Sequence, residues 1–346
     1  MKNKSLQILV TGGAGYIGSH TVLELLENNF DVIVLDNLCN SSAESIKRVD
    51  KISGKKTKFV HGSIEDINIL EEIFKNNDIF AVIHFAALKA VSESVAHPLK
   101  YYKNNVAGTL TLLRMMSKYS INNFIFSSSA TVYGEESEIP YNENMKIGTP
   151  TSPYGHSKVM IERFLKDLTI SNQEFKAVSL RYFNPIGAHQ SGEIGEDPHG
   201  VPNNLMPYIA QVAIGKRDSL KIFGNDYLTK DGTCRRDYIH VVDLARGHLN
   251  ALNWILSKKD FNGLEIFNLG TGKPSSVLEV VQAFFTATGI QLPYKFEPRR
   301  PGDLPEFWAD PSKANNRLNW SSKFTLLDMM NDTWRWQSKN PNGFDK

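Results

Sequence analysis

Short, uninterrupted apolar runs alternate with helix-length amphipathic segments through the first half of the chain. Residues 6–11 read as a strand, 17–28 as a helix and 31–35 as a second strand. Residues 58–60 and 80–85 follow as strands, then a helical stretch at 98–119 and a strand at 123–127. The stretch 153–169 reads as a helix and 177–182 as another strand. A strand that is apolar along its whole length has to be covered on both faces, and a helix between two such strands is the crossover that a parallel pair requires. The expected fold class is therefore α/β, a doubly wound parallel sheet. Beyond about residue 184 the pattern loosens into polar loops rich in Pro, Gly and Asn, with 238–244 and 265–269 as apolar returns to the sheet. The expected division is 1–184 plus 238–270 for the large sheet domain, and 185–237 plus 271–346 for a smaller, discontinuous C-terminal α/β domain.

Thr11-Gly12-Gly13-Ala14-Gly15-Tyr16-Ile17-Gly18 lies where the first strand turns into the first helix. Glycines at 12, 15 and 18 allow a tight turn, a close backbone approach and tight helix–strand packing. The helix then presents unpaired N–H groups and its positive dipole end to a pyrophosphate. A glycine cluster alone also fits ordinary turn punctuation. Its place after the first strand, and an acid at the end of the second, favour a dinucleotide site. That acid is Asp36, whose carboxylate can accept ribose hydroxyls and would repel a 2′-phosphate, so NAD is expected rather than NADP.

Tyr154-Gly155-His156-Ser157-Lys158 carries the chemistry. Ser152 suits an N-cap and Pro153 the first helical position. Tyr154 and Lys158 are then i and i+4 on one helix face, while His156 points off it. A free tyrosine has a pKa of about 10. Lowering it by about three units takes about 4 kcal/mol, which one cation at about 4 Å supplies at an effective dielectric of 20. Lys158 and an oxidised nicotinamide would be two such cations. A Tyr–Lys pair at this spacing is also common on helix surfaces, but Ser127-Ser128-Ser129 ends a strand at its carboxyl edge, where doubly wound folds bind ligands. Ser129 is placed to hydrogen-bond the hydroxyl that Tyr154 deprotonates. Ser129, Tyr154 and Lys158 are the expected catalytic set.

Charge and composition narrow the partners. The net charge of +2 supplies no field for nucleic acid or a membrane surface. Glycines at 12 and 13 end the first apolar run too early for a signal-peptide core, and no run reaches the roughly 18 apolar residues of a membrane span. Cys39 and Cys234 are the only cysteines and have no zinc or disulfide spacing. A cytoplasmic enzyme is expected. His189, Asp197 and His199 share a loop but at irregular spacing, so no metal is expected. Trp320, Trp334 and Trp336 read as packing anchors.

The glycine spacing resembles that of the extended short-chain dehydrogenase/reductase family, which has a Rossmann domain. His84-Phe85-Ala86-Ala87 and Asn105-Val106-Ala107-Gly108-Thr109 match it too. The resemblance implies that Gly12, Gly15, Tyr16, Ile17 and Gly18 hold the NAD pyrophosphate, with Asn37, Asn40 and Ser41 joining Asp36 at the adenosine end. It extends Phe85, Ala86, Lys89 and Asn104 along the cofactor and adds Tyr154, Lys158 and Tyr182. Ser63, followed by Ile64, stands where these enzymes usually carry an adenine-binding Asp.

Within that family the chain resembles the UDP-galactose 4-epimerases nearly end to end. The matching segments include Ile33-Val34-Leu35-Asp36-Asn37-Leu38-Cys39-Asn40, Phe126-Ser127-Ser128-Ser129-Ala130-Thr131-Val132-Tyr133-Gly134 and Arg181-Tyr182-Phe183-Asn184-Pro185. Pro202-Asn203-Asn204-Leu205-Met206-Pro207-Tyr208, Arg236-Asp237-Tyr238-Ile239-His240 and Asp303-Leu304-Pro305 extend the match into the second half. The resemblance implies that Asn184, Asn203, Asn204, Leu205, Phe223, Arg236, Arg300 and Asp303 hold the UDP of a UDP-hexose. Guanidinium forks suit diphosphate oxygens and a carboxylate suits ribose hydroxyls. Arg299–Arg300 also reads as a solvated basic corner, and only one of the two need face a ligand. Lys89, Ser129, Tyr154 and Phe183 would border the sugar. Phe183 and Tyr182 equally fit an ordinary strand end.

The implied reaction oxidises C4 with NAD, lets the 4-keto sugar turn over and reduces it from the other face. Nucleotide-sugar dehydratases usually carry Asp-Glu after the Ser or Thr; Ala130-Thr131 stand there. NAD-using UDP-glucuronate decarboxylases and a non-catalytic dinucleotide sensor are the rival readings. Phe307 aligns with a gatekeeper beside the sugar 2-substituent, or packs in the core next to Trp308. Relatives are commonly homodimers joined through helices at 98–119 and 153–169, and the same is expected here.

Overall fold

The computed structural model describes residues 5–134, 138–202, 204–258, 260–300 and 303–345. Its first half runs β1 (Gln7–Thr11), α1 (Tyr16–Glu27), β2 (Asp31–Asp36), α2 (Ala43–Ser53), β3 (Lys58–His61), α3 (Ile67–Asn76) and β4 (Ile79–His84). There follow α4 (Val91–Ala96), α5 (Pro98–Tyr101), a π-helical turn (Tyr102–Ala107), α6 (Gly108–Lys118), β5 (Asn123–Ser129), α7 (Pro153–Ser171) and β6 (Lys176–Tyr182). The second half runs β7 (Asn184–Ile186), α8 (Leu205–Ala213), β8 (Leu220–Phe223), β9 (Arg235–Arg236), β10 (Tyr238–His240), α9 (Val241–Ser257) and β11 (Gly263–Leu269). It closes with β12 (Ser275–Ser276), α10 (Val277–Thr288), β13 (Tyr294–Glu297), β14 (Glu306–Phe307), α11 (Ser312–Arg317) and α12 (Leu326–Lys339).

The large sheet has seven strands in the order β11-β6-β5-β4-β1-β2-β3, and the ladders from β3 through β5 are parallel. The order reverses direction at β1/β4, the topological switch point of a doubly wound fold. Ile8, Leu9, Val10, Ile33, Val34, Val82, Ile83, Phe124 and Ile125 are fully buried, as strands covered on both faces require. Local chemistry sets the helix ends. Ser42 caps α2 by accepting from Glu44 N, and Asp66 caps α3 by accepting from Asn68 N and Ile69 N. Each such cap stabilises its helix by about 1 kcal/mol.

Contacts divide the chain into two units. The first comprises Met1–Glu136, Lys146–Arg181 and Ala245–Phe267; the second comprises Ser137–Met145, Tyr182–Leu244 and Asn268–Lys346. Residues 238–244, expected to return to the large sheet, instead belong to the second unit. There β10 pairs in parallel with β7 in a two-stranded sheet. Val241 and Val242, apolar like a strand, open α9, because His240 Nδ1 accepts from Val242 N and starts the helix. Residues 263–269 do join the large sheet, as its edge strand β11. Among the described residues the second half also holds five helices where the sequence pattern read as loosening.

The second unit is tied by one buried carboxylate. Asp237 accepts from Thr271 N at 2.8 Å, Thr271 Oγ1 at 2.6 Å, Gly272 N at 3.0 Å and Ala309 N at 3.1 Å. Its backbone pairs with Asn184 N and Phe307 O. Among the described residues no helix is long and apolar enough to cross a membrane.

Candidate active site

In the first unit, the loop from β1 to α1 sets one wall of the switch point. Gly12 has φ +69°, and a Cβ there would stand 2.6 Å from Ala86 N in the loop after β4. Gly18 packs equally tightly, since a Cβ on it would meet Gly12 O at 2.3 Å. At Gly15 the only neighbour a Cβ would meet among the described residues is Gly12 O, at 3.3 Å. Gly15 is also the N-cap of α1 and offers no side chain to the first-turn amides of Tyr16 and Ile17. Asp36, at the end of β2, braces this loop: Oδ2 accepts from Ala14 N at 2.9 Å, and Oδ1 from Leu38 N at 2.9 Å and Ser41 Oγ at 2.8 Å. A carboxylate offers about four acceptor sites, so Asp36 retains capacity for a further donor.

The remaining cofactor candidates surround this loop. Asn37 and Asn40 are exposed. Ser63 Oγ accepts from Glu65 N, and Ile64 is buried. Phe85 and Ala86 are partly buried and Lys89 is exposed. Asn104 lies in the π-helical turn and donates to Asn105 Oδ1 at 2.9 Å. Behind them His84 bridges Thr11 Oγ1 at 2.6 Å and Thr109 Oγ1 at 2.8 Å. Burial, aided by the positive charge of Lys158, holds its pKa down at about 3, so it is a neutral strut.

Helix α7 begins as its sequence predicts: Ser152 accepts from Gly155 N, Pro153 takes the first turn, and Tyr154 follows. Lys158 is fully buried, donates to Ser127 O at 2.7 Å, and lies 5.6 Å from the Tyr154 ring and 4.9 Å from that of Phe126. The Ser129 hydroxyl accepts from Thr131 N at 3.3 Å and Thr131 Oγ1 at 3.0 Å. Its own proton is thereby left to face Tyr154, whose ionised form it favours. The three expected catalytic side chains are thus gathered at the carboxyl end of β5.

Electrostatics departs from expectation. Burial raises the Tyr154 phenol above its ordinary pKa, and only the Ser129 hydrogen bond opposes this. Part of the tyrosine surface is accessible while its phenol group lies deep. Burial also brings Lys158 down to about 7, so this ammonium is only partly charged near neutrality. The lowering assigned to Lys158 is therefore not met by the protein's own groups: desolvation outweighs the single partial cation.

Sequence reasoning missed two groups here. Thr131, noted only as the absence of a dehydratase acid, is the donor that turns Ser129 toward Tyr154. Glu162, one turn beyond Lys158, is 3% exposed and accepts from Ser128 Oγ at 2.7 Å, Ser179 Oγ at 2.8 Å and Arg181 at 3.0 and 2.5 Å. An acid on the buried face of an amphipathic helix was its available signal.

The nucleotide candidates lie in the second unit. Arg236 donates to Leu304 O at 2.8 Å and pairs with Asp303 Oδ1 at 3.3 Å. The Arg300 guanidinium stacks 3.9 Å over the Phe223 ring, whereas Arg299 is held by Asp226 Oδ1 at 2.7 Å and Asp226 O at 2.6 Å. Of the basic pair, Arg299 is therefore the structural member. Asn204 caps α8 without a side-chain hydrogen bond to it and donates to Glu196 Oε1 at 3.1 Å; Leu205 follows, partly buried. Asn184 opens β7, and Asn203 lies outside the described residues. Tyr182 and Phe183 are buried. Phe307 is partly buried against Phe183 at 5.3 Å and Tyr141 at 4.9 Å. Among the described residues no His/Cys/Asp/Glu group of three could hold a metal; Asp197 instead accepts from Phe344 N. Trp320 donates to Asp243 O, Trp336 to Glu196 O, and Trp334 packs edge-on to Phe284.

A doubly wound sheet with a glycine loop at its switch point and Ser129, Tyr154 and Lys158 beside it defines an extended short-chain dehydrogenase/reductase. The GDP-mannose 4,6 dehydratase family model, from this class, matches residues 9–333. The chain is 57% identical over 339 residues to a UDP-glucose 4-epimerase of Pasteurella multocida, covering 98% of this chain and 99% of that one. The crystal structure of a Bifidobacterium longum UDP-glucose 4-epimerase in complex with NAD+ and UDP superposes with a TM-score of 0.93 at 49% identity, covering 97% and 99%. That of Stenotrophomonas maltophila, with bound NAD and formylated UDP-arabinopyranose, gives 0.94 at 44% identity over the same shares. The chain belongs to the UDP-glucose 4-epimerase family.

Proposed function

We propose that this protein interconverts UDP-galactose and UDP-glucose by oxidation and re-reduction at C4. The observation that carries the reading is the cluster of Ser129, Tyr154 and Lys158 at the end of β5, in a chain more than half identical to a UDP-glucose 4-epimerase over its length.

The cofactor site fits NAD. The open side of Gly15, where a Cβ would approach Gly12 O alone among the described residues, leaves room for a pyrophosphate over the N-terminus of α1, flanked by Gly12, Tyr16, Ile17 and Gly18. Asp36, with Asn37, Asn40 and Ser41, would hold the adenosine ribose, and Ser63 and Ile64 the adenine. Phe85, Ala86, Lys89, Asn104, Lys158 and Tyr182 would line the rest. Bound NAD supplies the hydride acceptor and, when oxidised, a positive charge that favours the phenolate of Tyr154.

Arg236 and Arg300 would fork the diphosphate, Asp303 the uridine ribose, and Asn184, Asn203, Asn204, Leu205 and Phe223 the remainder. Ser129 orients the C4 hydroxyl, and Tyr154 takes its proton. The nucleotide stays anchored while the keto sugar turns, and Tyr154 then returns the proton to the opposite configuration. Lys89, Phe183 and Phe307 would border the sugar. Tyr141 and Phe183 back the Phe307 ring, which fits a rigid stop against a large 2-substituent.

In this reading the first unit is the NAD-binding domain and the second unit, which takes in 238–244, is the UDP-sugar domain. The unpaired thiols of Cys39 and Cys234 fit a reducing, cytoplasmic setting. A homodimer paired through 98–119 and 153–169 fits the exposure of Leu99, Leu110 and Met160 on those helices; sedimentation measures it.

Incubation of the purified protein with UDP-galactose and no added NAD is expected to yield UDP-glucose. Tyr154→Phe should abolish turnover while retaining NAD. Nucleotide binding without turnover by the unaltered protein would sink the enzymatic reading and favour a sensor.

A further inference from the structure

Three successive turns of α7 face the end of β5 with three different side chains. Tyr154 meets Ser129, Lys158 meets the Ser127 carbonyl, and Glu162 meets Ser128. The first two belong to the reaction proposed above. Glu162 does not touch that chemistry, yet it is a buried carboxylate with four donors from two strands: Ser128 on β5, and Ser179 and Arg181 (twice) on β6. Arg181 is itself 2% exposed and stacks 4.9 Å over the Tyr133 ring.

A buried ion pair is a poor choice if stability alone is wanted, because desolvating both charges offsets most of their attraction. What it supplies is register, since each oxygen accepts only along fixed directions. We propose that Glu162 is a positioning residue for the C4 reaction: it locks the Ser127–Ser129 strand end against the Tyr154/Lys158 face of α7 and keeps a negative charge one turn from the Lys158 ammonium. This rests on the reading under Proposed function.

The charge has a direction. Glu162 favours the protonated form of Lys158 against the burial that opposes it. The other groups facing this ammonium are the neutral His84 on β4, the phenol of Tyr154 on its own helix and the Ser127 carbonyl on β5. Tyr154 in turn couples to Tyr101 on α5, which is hydrogen-bonded to Glu93. Arg181 faces Glu162 rather than Lys158. Among these groups Glu162 is the one that holds the lysine charged.

The test is Glu162→Gln, which keeps the shape and removes the charge, with Glu162→Asp as the charge-retaining control. Protein labelled with ¹⁵N at lysine Nζ, with Lys158→Met assigning the signal, reports the Lys158 titration without any turnover. From the Coulomb relation across one helical turn, Glu162→Gln should move that midpoint acidward from about 7 by at least about one pH unit. Glu162→Asp should leave it near the wild-type value. In turnover of UDP-galactose, Glu162→Gln should lower kcat by at least tenfold with KM within about threefold, and shift the alkaline limb of kcat acidward with the lysine midpoint. Should Glu162→Gln not fold, Glu162→Gln/Arg181→Gln leaves no lone buried charge and is read in the same way. An unmoved Lys158 midpoint in a folded variant overturns the proposal, as does a loss of melting temperature with kcat unchanged. Failure of the unaltered protein to turn over UDP-galactose would strike the functional reading instead, while the lysine titration would still judge Glu162.

Discussion

The glycines at 15 and 18 are three residues apart but have separable jobs, and alanine at each should expose them. At Gly18 a methyl would stand 2.3 Å from Gly12 O and 2.8 Å from Gly13 Cα, against an ordinary contact of about 3.5 Å. Helix α1 must retreat by about 1 Å from the loop that carries it. Overpacking of this kind costs about 1–3 kcal/mol. At about 2 °C per kcal/mol for a chain of this size, Gly18→Ala should lower the melting temperature of the NAD-free protein by about 2–6 °C. At Gly15 the new methyl meets, among the described residues, only Gly12 O at 3.3 Å, and the backbone there, φ −72° and ψ 175°, is open to any residue. The cost is that of a poorer N-cap, under about 1 kcal/mol. Gly15→Ala should therefore melt within about 2 °C of the unaltered protein. The same methyl nevertheless fills the space over the helix N-terminus, so NAD affinity should fall at least about tenfold, or 1.4 kcal/mol. Thermal melts of stripped protein followed by NAD titration separate the two effects. If Gly15→Ala binds NAD like the unaltered protein, or if both variants lose binding only in proportion to lost stability, the cradle argument is wrong.

Arg300→Ala should raise KM for UDP-galactose about tenfold or more, while Arg299→Ala, whose guanidinium is already committed to Asp226, should change it less than about threefold. Initial-rate kinetics on both decides which arginine serves the nucleotide. His84, at about 3 in the fold and about 6.5 unfolded, is neutral in the native state. The unfolded chain binds the extra proton, so this stability is present above about pH 6.5 and is lost as pH falls toward 3, amounting to about 5 kcal/mol. A pH series of denaturant midpoints should show a slope over that window that His84→Gln flattens. Phe307→Cys should open the sugar pocket, giving turnover of UDP-N-acetylglucosamine above the parent; comparable efficiency in the unaltered protein would rule out gatekeeping.

The first half of the fold was legible because parallel strands such as Ile8–Val10 and Ile33–Leu35 are buried on both faces and leave an unbroken apolar mark. The catalytic set was legible because Tyr154 and Lys158 are local in sequence and Ser129 ends a strand. Beyond residue 184 the strands shrink to two to four residues, apart from β11. The periodicity that reveals strands has no room to develop there. Helices in this half did leave end signals: Ser276 with Glu279 and Thr325 with Asp328 form capping boxes at α10 and α12. Tyr238–His240 was misplaced because a three-residue strand carries no information about which partner it pairs with. The electrostatics of Tyr154 was illegible for a different reason. Spacing sets the distance to Lys158, but not how far burial discharges the lysine.

Asp237 gathers backbone amides of Thr271, Gly272 and Ala309 onto its carboxylate, while its own carbonyl accepts from Asn184 N. During synthesis this knot cannot tighten until the polypeptide has grown past Ala309, about nine-tenths of its length. Strands β1 to β5, by contrast, can associate when little more than a third of the chain has emerged. The later unit is therefore the one that a nascent polypeptide leaves open longest, and the one most dependent on protection from aggregation while it waits.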